Sequence, residues 1–464
     1  MDKTSADKKS APLRLKQLAA GALILAALGC APNDDEDNAR RSISGSNAMP
    51  PMKTFVSSRG VQSIRANADL VADFADLNFR METGRQLTHL SRFEGPISIR
   101  VQGDIPSTLP TDLSRLIGRL RNEAGLQISL TDRADANINI ILMKRSAMAR
   151  EVPNATCFAV PNVTSFDDFR TKRRSNQISW LGISHRKTAA IVLPSDEAPQ
   201  QLRDCLHEEL AQALGPLNDL YHLPDSIFND DDFHSVLTGF DMLMLRALYD
   251  PSLTAGMDKA TVMQKIPAIL QRLNPAGENR PRNPRVATSP EWTRAIHTAL
   301  ANATVQVKRQ QAVKRALTLQ PGYGPDVRNG FAYYASGRLA MSTNPHEAQQ
   351  HLQIADRIFA SRPNMAIHRA KVAVQLAAFE LLDGNGAGVL AAVNPHLNVA
   401  MAHENADVLS SLLMFRAEGL DLIGRSSEGA AVRLDALGWA RYGYGNKTAV
   451  LERLTEIQRL SPAR

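Results

Sequence analysis

The segment Cys205-Leu206-His207-Glu208-Glu209-Leu210-Ala211-Gln212-Ala213-Leu214-Gly215-Pro216-Leu217-Asn218-Asp219 concentrates the side chains most able to do chemistry. Two registers compete for it. Beginning at His207, a metal-binding helix needs its second ligand one turn on, and Ala211 stands there, so no site forms. Beginning at Glu208, the pattern is Glu-Glu-x-x-Gln-x-x-Gly-x-x-Asn. Glu208 and Gln212 then share one helix face, Glu209 takes the place of a general base, Gly215 permits a turn and Asn218 offers a third ligand position. Such carboxylate and carboxamide oxygens suit calcium, magnesium or manganese better than zinc, which hydrolases hold with imidazoles and at most one carboxylate. The same four residues would equally close a hydrogen-bond network in a retired active site. The first reading implies a divalent metal; the second implies no cofactor.

Other groups are weaker. His207, His222 and His234 match no ligand spacing. Asn229-Asp230-Asp231-Asp232 lacks the alternation and central glycine of an EF-hand loop and reads as a solvated turn. The chain has no phosphate-cradling glycine loop and no Gly-x-Ser-x-Gly elbow.

Holding the Glu208 helix in place requires a scaffold, and from residue 96 the pattern is mixed α and β. Pro96 to Val101 alternates as a strand, and Leu113, Leu116, Ile117, Leu120 and Ala124 follow at helical spacing up to Gly125. Further strands are expected at Leu126 to Leu130, Ala136 to Leu142 and Ala189 to Leu193, the last as a sheet edge. Ser195 is expected to cap a helix running to Leu214, and Thr238 with Asp241 forms a capping box for a helix through Leu248. Leu70 to Phe79 suits a short helix within an uncertain extension, residues 53–95. Residues 261–288, rich in Asn, Pro, Gly and Arg toward their end, read as a linker. Residues 289–464 read as all helix, with Trp292, Ile296 and Leu300 on one face. Gly337, Leu339, Ala348, Leu352 and Ala355, and again Ala417, Leu420, Gly424, Ala430 and Ala431, suggest two tetratricopeptide-like helix pairs, with a plain helical bundle as the rival.

With every histidine replaced, the Glu208 register keeps the spacing of the extended metzincin motif His-Glu-x-x-His-x-x-Gly-x-x-His. The strand-helix-strand-strand-strand order before it is that of a zincin upper subdomain, and Leu237 to Tyr249 looks like a metzincin's closing helix. Over about residues 90–260 the chain resembles domain of unknown function family 2927, through Glu208 to Asp219 and the Ser226-Ile227-Phe228-Asn229-Asp230-Asp231 loop. The resemblance implies predicted bacterial lipoproteins with a helical tail, where Val432 to Asp435 and Gly438 to Gly443 fit, but brings no activity. The expected fold is therefore an α+β zincin-like domain at 96–260, a mixed sheet with an active-site-type helix, followed by an all-α, tetratricopeptide-like domain.

The amino terminus fixes the expected location. Lys3, Lys8, Lys9, Arg14 and Lys16 precede the apolar run Leu18 to Leu28, and Ala27-Leu28-Gly29 leads into Cys30. That is a lipoprotein signal peptide, residues 1–29, with lipidation at Cys30. The apolar run is too short for the ~20 residues of a membrane span. Ala31 after the cysteine favours the outer membrane, facing the periplasm. Residues 30–52, acidic and poor in large apolar side chains, read as a disordered tether. The net charge of +7 falls to +4 once the signal's five basic and two acidic residues are removed, and with three Trp and seven Tyr this argues against nucleic acid. Cys157 and Cys205 remain as an even pair in an oxidising compartment and are expected to form a disulfide. Closing that loop would stabilise the fold by about 4 kcal/mol.

Two functions follow. The favoured one is a lipid-anchored binding or scaffold protein that offers a cleft and a concave helical face to an envelope protein or peptide, which adds beside Ala189 to Leu193. The other is a divergent metal-dependent hydrolase acting on envelope peptide or peptidoglycan, with Glu209 activating water and Glu208, Gln212 and Asn218 holding the metal.

Overall fold

A computed structural model describes residues 49–56, 65–153, 155–283, 286–301, 304–319 and 326–462. The signal-like segment, Cys30 and all but the last few residues of the expected tether lie outside the described residues. Among the described residues no helix is long and apolar enough to cross a membrane.

The first unit opens with α1 (Asn67–Asn78), then β1 (Ile97–Gly103), α2 (Leu109–Asn122), β2 (Ile128–Leu130) and β3 (Ile138–Met143). Next come the short α3 (Arg145–Ala149), β4 (Phe158–Pro161), α4 (Phe166–Lys172), β5 (Ala189–Pro194), α5 (Pro199–Leu214), α6 (Gly239–Leu248) and α7 (Lys259–Leu273). The five strands form one mixed sheet in the order β2-β1-β3-β5-β4. Four run parallel, and β4 pairs antiparallel with β5, Phe158 opposite Val192 and Pro161 opposite Ala189. Ala189 to Leu193, expected at the edge, is therefore interior. All six residues of β5 are buried, as an unbroken apolar run demands when helices or loops cover both faces. The edge belongs to β4, too short at four residues to show an alternation.

Two other boundaries differ from expectation. Ser195 does not cap α5; Ala198 is the N-cap, and Pro199 takes the first-turn position where its missing N–H costs nothing. Helix α7, Lys259–Leu273, takes up the first part of the expected linker at 261–288, and its Val262, Ile266, Ile269 and Leu270 enter the same core as Leu70, Phe74 and Leu77 of α1. Those two helices pack on each other, so both flanks of the expected 96–260 unit contribute to its core.

The second unit is helical throughout: α8 (Pro290–Leu300), α9 (Gln306–Thr318), α10 (Val327–Ala340), α11 (Pro345–Ala360), α12 (Ala366–Leu382), α13 (Gly386–Val393), α14 (Leu397–Ala402), α15 (Ala406–Leu422), α16 (Ser426–Gly443) and α17 (Lys447–Gln458). Helices α10 and α11 pair closely, as do α15 and α16. Small residues set the first approach: a Cβ at Gly337 would lie 2.7 Å from Leu352 Cγ and 3.1 Å from the Ala348 carbonyl oxygen. This core also takes in Tyr221 and Phe233 from the first unit and Phe55 from near the amino terminus.

Candidate functional site

Helix α5 carries the motif, and an arginine that the motif does not contain secures its end. Arg186 donates through Nη1 to the Gln212 and Ala213 carbonyls at 2.6 and 2.7 Å, and through Nη2 to Gly215 at 2.7 Å. These carbonyls belong to the last turn of the helix and beyond, where main-chain partners run out; the Gln212 carbonyl also accepts from the Gly215 amide at 3.2 Å. The guanidinium lies 4.4 Å from the Trp180 ring centre, and burial pushes its pKa down to about 10. Gly215 is extended (φ −179°), so the turn does not require glycine. Space does: a Cβ there would meet Leu248 Cδ2 at 2.0 Å.

The four motif side chains divide between environments. Gln212 Nε2 donates to Glu208 Oε1 at 3.4 Å on a half-exposed face, the pairing that a four-residue spacing predicts. Glu209 faces the interior and is 3 % exposed. Asn218, equally buried at 3 %, donates through Nδ2 to the Asp76 carbonyl of α1 at 2.9 Å. Glu208 and Gln212 are thus joined to each other while Asn218 is committed to α1. Among the described residues no three His, Cys, Asp or Glu side chains are placed to hold a metal ion. A zinc ion does not fit this donor set, which offers one carboxylate and two carboxamide oxygens and no imidazole.

The three histidines considered together go to three places. His207 is buried, accepts through Nδ1 from the Leu237 amide at 3.1 Å, and burial holds it neutral, well below the usual imidazole pKa. His222 lies 4.0 Å from the Asp73 and Asp76 carboxylates. His234 donates through Nε2 to the Pro224 carbonyl at 2.9 Å.

The loop between α5 and α6 holds the densest polar network, and its acidic run is not a solvated turn. Asn229 is 4 % exposed. Asp231 accepts from the Phe233 amide at 3.1 Å, from Asn229 Nδ2 at 2.7 Å and from His368 Nε2 of α12 at 3.1 Å. The Phe233 ring stacks on His368 with centres 4.3 Å apart and meets Phe331, Tyr334 and Phe359 of the helical unit. Asn364 donates to Asp225 at 3.1 Å, and Asn405 to Ser235 at 3.0 Å. Asp241 closes the expected capping box with Thr238 and also accepts from Ser226 Oγ at 2.5 Å and the Ile227 amide at 3.1 Å. Burial raises its pKa to about 6 against these bonds. The Ser226 to Asp231 loop is therefore a docking element, bound below by α6 and above by the helical unit.

A cavity of about 1080 Å³ opens beside this junction, between α1 and α8, with Asp76, Asn218, Asp219, Asp230, Arg294 and His297 in its lining. His297 Nε2 is 3.2 Å from Asp230 Oδ2. Of the motif residues only Asn218 reaches it; Glu208, Glu209 and Gln212 do not line it. Behind the motif, Cys205 of α5 is joined by a disulfide to Cys157 at the start of β4.

Sequence reasoning missed Arg186, Arg203, Glu404 and Asp112, whose partners lie far along the chain. Arg203 of α5 and Glu404 form an ion pair with side chains 3 % and 4 % exposed. Tyr442 of α16 donates to Asp112 of α2 at 2.7 Å. No local pattern announces such contacts.

Residues 67–268 match the family described as a protein of unknown function, DUF2927. That span runs from α1 into α7. No curated protein and no solved structure matches the chain.

Proposed function

We propose that the chain is a lipid-anchored protein of the cell envelope, with a catalytically inactive metzincin-like unit and tetratricopeptide-like helices that together bind a protein or peptide partner. The observation that carries the non-catalytic reading is the bonding of the motif side chains: Gln212 to Glu208, and Asn218 to the Asp76 main chain. These bonds use the carboxamide nitrogens and hold Asn218 toward α1, where it alone of the four lines the cavity, so the ligand positions are not gathered at one place. Support for the metzincin-like part comes from the element order, a parallel sheet with one antiparallel edge strand ahead of α5 and the capped helix α6 after it. The close α10–α11 and α15–α16 pairs support the repeat-like part. The outer-membrane, periplasm-facing location and the lipid on Cys30 rest on the amino-terminal sequence alone.

The purified chain, incubated with a proteome-derived peptide library and zinc, calcium or manganese in turn, is expected to leave the library uncut. Cleavage that disappears in Glu209→Gln, with folding intact, would replace this reading by the divergent hydrolase acting on envelope peptide or peptidoglycan. Metabolic labelling with a fatty acid tests the anchor: label lost in Cys30→Ser is expected, and an unlabelled parent chain overturns it.

A further inference from the structure

Residues 50–55, Pro-Pro-Met-Lys-Thr-Phe, lie along helix α16, more than 380 positions away in sequence. Their contacts have the form of a bound peptide. The Lys53 amide donates to the Gly438 carbonyl at 3.0 Å, and Arg441 Nη1 donates to the Pro50 carbonyl at 2.6 Å. The Lys53 ammonium pairs with Asp435 and lies over the Trp439 ring. Phe55, 2 % exposed, fills a hole between Trp439 and Tyr442, with ring centres at 4.8 and 5.9 Å, and the Arg203 guanidinium of α5 covers it. Gly438 makes this approach possible, because a Cβ there would sit 3.2 Å from both Lys53 Cγ and the Pro51 carbonyl oxygen. Val56, the next residue, is 85 % exposed, so burial stops at the aromatic anchor.

We propose that the face of α16 formed by Asp435, Gly438, Trp439, Arg441 and Tyr442 is a peptide-docking groove, occupied in this chain by its own residues 50–55 and opened to a partner when they leave. The partner segment is extended, with a basic residue two positions before an aromatic one. Main-chain bonds at Gly438 and Arg441 hold any such segment, while Asp435 and the aromatic hole select its side chains. The inference deepens the binding function proposed above and rests on it.

Cis occupancy sets how the groove behaves. A segment on the same chain meets its groove at an effective concentration on the order of mM, so a free peptide at micromolar concentration competes poorly until the cis segment is weakened. The contacts also place the exit of the amino-terminal segment at the junction of α2, α5 and α16, where Tyr442 bonds Asp112. Displacing Phe55 would uncover the Arg203 side of the interface between the two units, so occupancy of the groove and the fit of that interface are linked.

Fluorescence polarisation with a labelled peptide of residues 49–56 tests the proposal on three full-length chains: unaltered, Phe55→Ala and Lys53→Glu. Lys53→Glu repels Asp435 at a half-exposed pair and empties no core position, so it stays informative if Phe55→Ala fails to fold. The peptide is expected to bind Phe55→Ala at least tenfold, and Lys53→Glu several-fold, more tightly than the unaltered chain. Adding Gly438→Leu to Lys53→Glu is expected to remove the gain. A folded variant that binds the peptide no better than the unaltered chain overturns the groove. That result would leave the non-catalytic reading standing, since peptide cleavage and metal content decide it separately.

Discussion

Helix α5 and the loop that follows it both carry runs of acidic and amide side chains, and the fold uses them in opposite ways. On α5 Gln212 donates to Glu208 at 3.4 Å, within one helix and on a half-exposed face. In the loop, Asp225 and Asp231 each accept several bonds, including those from Arg65, Asn364 and His368, all more than a hundred positions away, while Asp241 of α6 ties down Ser226 and Ile227. The lesson concerns where polar residues are committed. The segment that looks catalytic pairs Gln212 with Glu208 within one helix, and the one that looks like a solvent-facing turn seals one unit against the other. Polar groups withdrawn from water have to be paired, so the loop's acidity is explained by docking.

The comparison breaks most readily at the buried end of α5. Arg203→Met removes one side of a buried ion pair with Glu404, and is expected to cost about 3–5 kcal/mol in urea unfolding. Removing the covalent tie, by Cys157→Ala with Cys205→Ala, should cost about 2–4 kcal/mol for a loop of 48 residues, and only the unaltered chain's stability should then respond to reductant.

A third, smaller effect depends on pH. Burial pushes the His234 imidazole down to about 4 and His403 to about 3, each neighbouring the other and His368, with Asp231 and Asp225 pulling His234 the other way. Their rings are 5.3 Å apart at the same junction. Because the unfolded chain binds protons near pH 6.5 and the folded one does not, their contribution is complete above about 6.5 and is lost as pH falls toward 4. Asp241 and Asp407, raised by burial to about 6, act with the opposite sign over the same range. The paired replacement His234→Gln/His403→Gln isolates the first effect. Between pH 6.5 and 4 its stability should fall less steeply than the parent's, by up to about 1.4 kcal/mol per pH unit per histidine, read from denaturant unfolding at each pH. Identical slopes would mean that the junction does not hold these rings neutral. The smallest change belongs to the α5 motif: Gln212→Ala should cost under about 0.5 kcal/mol, as exposed helix pairs do. A cost rivalling Arg203→Met would erase the contrast between the two regions.

Much of the scaffold was legible because its signals are local. Ile138 and Ile140 alternate with Asn137 and Asn139, Leu113 to Leu120 repeat at helical spacing, and Thr238 with Asp241 is a complete capping box. The Cys157–Cys205 pair was expected from the even number left once Cys30 is set aside, and the disulfide joins those two residues. Elements settled by distant neighbours were not legible. Ala189 to Leu193 carries the same residues at an edge or in an interior, and only β4, four residues long, decides which. Residues 49–52 have the composition of a tether, yet Arg441 holds the chain at Pro50, next to the Lys53 bond to Gly438. In the candidate site, the Glu208–Gln212 pairing was readable from spacing. The assignment of Asn218 to Asp76 was not, because α1 lies 142 positions earlier.

The central claim is that the motif on α5 no longer serves a metal. Elemental mass spectrometry of the purified, dialysed chain tests it most directly, with Glu208→Ala/Gln212→Ala as the control. The account predicts no metal near one equivalent in either protein. Near-stoichiometric metal in the unaltered chain, lost in the control, would contradict it and return Glu209 to the role of a general base.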